Sequence, residues 1–138
     1  MLRGRLQMST PRALLWPGVY FALQGLMGLA WWCAITWSMG VRGAFTPDGY
    51  GERYLMHFWL PDLVLFVGAS FATGVLVLRG EKRPVVPAAI TFGAVAYATL
   101  TTISSSLATG SAWLAPLVMG CSLAGSFWAT RNVVQAWA

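Results

Sequence analysis

Four long runs of the chain carry almost no charge, and this restricts its fold more than any other feature. They cover about residues 14–39, 58–78, 85–107 and 112–130, and the only ionisable acid or base among the Asp, Glu, Lys and Arg types inside them is Asp62. A helix rising 1.5 Å per residue needs ~20 residues to cross ~30 Å of hydrocarbon, and each run approaches or exceeds that length. A water-soluble helix would show a charged face at helical spacing, and these runs have none. Only 9% of the 138 residues are charged and mean hydropathy is +0.63, against roughly 25% charged in an ordinary soluble domain. The sequence therefore predicts an all-α membrane protein, a single domain with four transmembrane helices in an up-down-up-down bundle.

The basic residues fall at the ends of the runs. Arg3, Arg5 and Arg12 precede the first, Arg79, Lys82 and Arg83 separate the second from the third, and Arg131 follows the fourth. The opposite ends receive Arg42 and Arg53, offset by Asp48 and Glu52. Seven basic residues on one side against two on the other predict cytoplasmic termini in a cell inner or plasma membrane, by the positive-inside bias. The net charge of +5 does not point to nucleic acid, because the basic residues form no folded, solvated patch. The first run is longer than the ~7 to 15 apolar residues of a removable signal, so it reads as an uncleaved anchor.

Connections between the runs are short, except for the polar excursion GVRGAFTPDGYGERYLM, where Pro47-Asp48-Gly49 has turn chemistry. Tryptophans near the run ends, such as Trp16, Trp37, Trp59 and Trp113, fit headgroup depth, whereas Trp31 and Trp32 lie deeper. Adjacent positions on a helix point in different directions, so one of that pair is expected inside the bundle and the other towards lipid. Small residues suited to close helix contact include Gly25 and Gly28, Gly68 with Ala72, and Cys121 with Gly125. Cys33 and Cys121 fall within the first and fourth runs at different depths, and are expected to be unpaired.

Chemistry has few places to sit. Counting back from Arg79 sets Asp62 about 25 Å away, just inside the outer boundary. With Pro61 in the first helical turn, Asp62 would be a helix N-terminal acid, and this is the expected arrangement. If instead the helix starts near Tyr54 and kinks at Pro61, the carboxylate lies deeper and must face protein or water. His57, the single histidine, is the nearest candidate to exchange protons with it. The third run concentrates hydroxyls, among them Thr99, Thr102 and Ser106 on one face; such groups can also bond back to a carbonyl one turn earlier.

Three functional readings follow. The first is a non-catalytic module or subunit that packs against itself or a larger membrane complex. The second is an enzyme or binding protein for a lipid-soluble small molecule, with catalytic Asp62 and His57 and a pocket formed by Trp31, Trp32, Thr99, Thr102 and Ser106. The third is a dimeric small transporter. No cofactor and no metal site is expected, since phosphate loops, nucleophile elbows, CxxC pairs and zinc spacings are lacking.

Overall fold

The computed structural model describes residues 12–51, 53–81 and 83–137. The expected basic residues Arg3, Arg5 and Lys82, and the acid Glu52, lie outside the described residues. Among the described residues the chain is 85% helical with no strand. Five helices are labelled in chain order: α1 (Arg12–Trp37), α2 (Met39–Phe45), α3 (Trp59–Leu78), α4 (Val85–Thr109) and α5 (Leu114–Trp137).

Three of them, α1, α3 and α4, are long and apolar enough to cross a membrane. That points to a membrane protein. Large apolar side chains such as Met27, Leu100, Leu107 and Leu117 are more than half exposed, an arrangement that water would penalise and lipid would not. The fourth expected span differs. Helix α5 has 24 residues, enough to cross, but it falls short of the apolarity of the other three. The reason is visible in its sequence, where Ser122, Ser126, Thr130, Asn132 and Gln135 replace aliphatic residues.

Helix α1 packs along α3 and α5, and α4 packs along α5 and α3. Glycines fix the α1–α3 contact. A methyl group on Gly74 would stand 2.8 Å from the Ala22 backbone nitrogen, so the two backbones touch there directly. Gly25 meets the Phe71 ring and Gly28 meets Phe66 and Val67, and the pairing runs antiparallel. Around this contact Leu14, Phe21, Val77, Ala88, Ala129 and Val133 form one apolar core, and Trp32, Ile35 and Val67 form a second towards the other end of α1.

Helix α3 is not uniform. Its first residues, Trp59–Pro61, continue into a π-helical stretch, Asp62–Gly68, before ordinary α geometry resumes over Ala69–Leu78. Pro61 lies in the first turn, where an amide hydrogen would have no acceptor within the helix, so its absence costs α3 no hydrogen bond. A methyl on Gly68 would approach the Leu63 carbonyl oxygen at 3.1 Å, so glycine accommodates the wide turn at its exit.

The excursion between α1 and α3 is more regular than its composition suggests. Ser38 caps α2 by accepting from the Val41 amide, and Arg42 reaches back to donate to the carbonyls of Ile35, at 3.1 and 3.0 Å, and Thr36, at 3.1 Å. Those carbonyls end α1 and have no helical partner, so the guanidinium closes the end of one helix from within the next. Tyr50 then closes a turn onto the Pro47 carbonyl. At the far end of α4, Gly110 takes a positive φ of 70° and bonds the Ser106 carbonyl, the left-handed residue that stops the helix.

Candidate functional site

Two polar sites stand out, at different depths. The deeper one is built from two residues of α1 and two of α5, none of them among the candidates drawn from the sequence. Tyr20 and Gln24 lie four apart on α1, and Ser122 and Ser126 lie four apart on α5, so each pair shares a helix face. Tyr20 donates its hydroxyl to the Ser122 carbonyl at 2.9 Å and stands 3.3 Å from Ser126 Oγ. Gln24 donates Nε2 to Ser122 Oγ at 3.0 Å and to Ser126 Oγ at 2.7 Å. Gln24 is 6% exposed and Ser126 fully buried. Its Oε1 has no partner, nor do the buried hydroxyls of Ser70 on α3 and Thr91 on α4.

Gly125 belongs to the same arrangement. A methyl there would stand 2.5 Å from the Tyr20 hydroxyl, so the missing side chain is the space the phenol occupies. Gly125 is therefore taken up by contacts within the chain. The signal for this site was legible: Gln24 is the one amide in the first uncharged run, and its spacing from Tyr20 matches that of the two serines.

The shallower site contains Asp62. Helix α3 begins at Trp59, preceded by a short 3-10 turn, Leu55–His57, and the Asp62 amide bonds the Phe58 carbonyl at 3.0 Å. Asp62 thus sits at the close of the first turn, with its own amide already satisfied. Its half-buried side chain faces the Trp32 indole. Trp32 is 7% exposed and its Nε1 closes no hydrogen bond of standard geometry, so the indole and the carboxylate face each other without a formed bond. Trp32 also lines a groove of about 230 Å³, together with Leu29, Cys33, Trp37, Trp59 and Leu63 among others.

The remaining sequence candidates do not converge on Asp62 through hydrogen bonds. His57 is exposed, and its Nδ1 lies 3.2 Å from the Tyr54 carbonyl. Trp31 packs edge-on against Phe45 of α2, with ring centroids 4.2 Å apart, and is absent from the groove beside its neighbour. Thr99 donates to the Val95 carbonyl at 2.7 Å and to the Met119 carbonyl at 3.2 Å, which places it between α4 and α5. Thr102 bonds the Thr99 carbonyl, and Ser106 bonds the Ala112 carbonyl. These hydroxyls are thus occupied by backbone, close to their own helix or at its end.

Among the described residues no group of three or more metal-ligating side chains converges, and Cys33 and Cys121 are unpaired. Comparison with protein-family models, curated proteins and solved structures finds no match for this chain.

Proposed function

We propose that the chain is a single-domain, four-span membrane protein that acts as a non-catalytic module, packing against itself or a larger membrane complex. In this reading α5 completes the bundle as the fourth span, both termini face the cytoplasm, and the membrane is the cell inner or plasma membrane. The observation that carries it is the Tyr20–Gln24–Ser122–Ser126 clamp. Strong hydrogen-bonding groups at mid-helix depth are consumed in holding α1 to α5, where an enzyme would present such groups to a substrate. A less apolar α5 is tolerated because Ser122 and Ser126 are satisfied by α1, Thr130 by the Ala88 carbonyl of α4 and Asn132 by the Trp128 carbonyl of its own helix.

The test joins topology with assembly. Reporter fusions after residue 82 and after residue 138 are expected to report the cytoplasm, and a fusion within the 46–51 loop the opposite side. Native mass spectrometry from detergent is then expected to show an assembly that survives Asp62→Asn and His57→Ala. A monomeric state combined with loss of a measurable ligand affinity in those two variants would remove the module reading.

A second reading has one observation in its favour. The apolar groove lined by Trp32, whose indole also faces Asp62, suits a lipid-soluble molecule entering from the outer leaflet. Its polar end would accept from Trp32 Nε1, a donor that has no partner of its own. Binding of such a molecule that is abolished by Trp32→Phe would favour this reading.

A further inference from the structure

The polar content of α4 is distributed against expectation. Of the three apolar helices it is the least covered by the rest of the chain, with 22% of its apolar window buried against 39% for α1 and 33% for α3. Its buried stripe, Ala88, Thr91, Val95, Thr99 and Ser106, faces the neighbouring helices. The diametrically opposite face carries polar groups as well. Tyr97 sits at the centre of Val85–Thr109 and is 66% exposed, and its hydroxyl has no hydrogen-bond partner among the described residues. Twelve residues of helix on either side, about 18 Å, separate it from both ends, too far for a phenol to reach a headgroup.

Hydrocarbon offers that hydroxyl nothing to bond, and neither does it solvate Ser104, which is exposed on the same face two turns further on. Starting at Val86, alternating steps of four and three residues reach Ile90, Gly93, Tyr97, Leu100 and Ser104, all of them exposed. Steps of four and three are the seam of two helices crossing at a shallow angle. Gly93, one turn below Tyr97, has no atom within 4 Å of where a side chain would begin, leaving an open notch beside the phenol.

We infer that this face of α4 is the contact between two copies of the chain, with Tyr97 hydroxyls paired across a two-fold axis along the membrane normal. The argument for a second copy is depth and chemistry together. An isologous contact brings each residue near its own equivalent at the same depth. A hydroxyl is both donor and acceptor, so Tyr97 and Ser104 each satisfy their counterparts without any other group. The Gly93 notch receives the partner's ring and lets the backbones approach. This inference rests on the membrane-module reading and adds to it the face and the partner.

The test uses the full chain in phosphatidylcholine/phosphatidylglycerol vesicles. In a Cys33→Ala/Cys121→Ala background, Ser104→Cys is expected to form a disulfide-linked dimer under mild oxidation, and Leu117→Cys on the exposed face of α5 is not. Energy transfer between labelled chains is expected to weaken about tenfold in apparent affinity for Tyr97→Phe, and to vanish for Gly93→Leu. Because no atom of the described residues lies within 4 Å of a Cβ at Gly93, the Leu variant is expected to keep its helical content, which circular dichroism verifies. A monomer at every protein-to-lipid ratio overturns the inference, as does undiminished energy transfer in both variants. Crosslinking through Leu117→Cys with Ser104→Cys silent overturns the α4 face while leaving self-packing intact. Failure of the cytoplasmic reporters would instead remove the topology on which both rest.

Discussion

Gln24 of α1 donates its side-chain amide to Ser126 Oγ of α5 at 2.7 Å, a buried contact between residues 102 positions apart in the chain. Hydrogen bonds between membrane helices contribute ~0.6 kcal/mol on average and up to about 1.7, because the separated helices also find partners. Ser126→Ala is therefore expected to destabilise the protein by about 1 kcal/mol in a reversible detergent unfolding titration. Ser122→Ala should cost less in this amide contact, at 3.0 Å, since Tyr20 bonds the Ser122 backbone and not its hydroxyl. A double-mutant cycle on Gln24→Leu and Ser126→Ala checks the coupling, and an additive result would assign the contact no energy of its own.

Substitution at Gly74 is expected to be the most damaging small-to-large change in the chain's interior. An added methyl meets the Ala22 backbone at 2.8 Å, and backbone cannot rotate out of the way as a side chain can. Gly74→Ala should cost ~1 to 3 kcal/mol through overpacking and Gly74→Leu should prevent folding. Gly120→Ala, with no atom within 4 Å of the added methyl, serves as the control and is expected to leave the melting temperature unchanged.

Asp62 has no cationic partner among the described residues. A carboxylate half-covered by Trp32 and the α3 backbone loses hydration without gaining a countercharge. Replacement by its neutral isostere, Asp62→Asn, is expected to raise stability by about 1 kcal/mol, read as a higher melting temperature at neutral pH. A fall of comparable size would show instead that the charge itself holds the outer end of α3.

Arg42 makes three donations to the last carbonyls of α1, from Nε and Nη2. Arg42→Ala should loosen the junction of α1 and α2 at a cost of about 1 kcal/mol, visible as faster protease cleavage within residues 46–51. Arg42→Lys is expected to restore only part of this, because an ammonium is a single point of charge and cannot span two carbonyls as the planar guanidinium does.

Much of the helical frame was readable from where charges are missing. Runs at 14–39, 58–78 and 85–107 lie within two residues of α1, α3 and α4 at both ends. Of the Trp31–Trp32 pair, Trp32 is buried as expected of one member, whereas Trp31 is partly buried against Phe45 and the second core, where the expectation had it facing lipid. The α4 hydroxyls of Thr99, Thr101 and Thr109 each bond a carbonyl four residues back, the use anticipated for such groups.

Other features were hidden for physical reasons. Gly40 and Gly43 disguised α2 as loop, since its stability comes from the Ser38 cap and from Arg42 in place of any intrinsic preference. The polarity of α5 needs a partner face to make sense, and a single run cannot reveal that its serines answer Tyr20 and Gln24. Gln24 is the one amide in its run, but an amide in an apolar run gains meaning only from the group it touches. Asp62 follows Pro61 in the opening turn of α3, the helix-end arrangement expected from the sequence, but its facing of Trp32 depends on how two helices are turned towards one another.

The widened turn at Asp62–Gly68 has a geometric corollary. An α-helix advances about 100° per residue, so a stretch with more residues per turn changes the azimuth of everything before it relative to everything after. In α3 the start of that turn presents Asp62 to Trp32, while the segment behind it presents Gly74 to Ala22. Both targets lie on α1, and the slack turn is the phase adjuster that keeps the two halves of α3 aimed at one helix. Removing a single residue from it would swing the Trp59 end about a quarter of a revolution out of alignment, without touching any contact beyond Ala69.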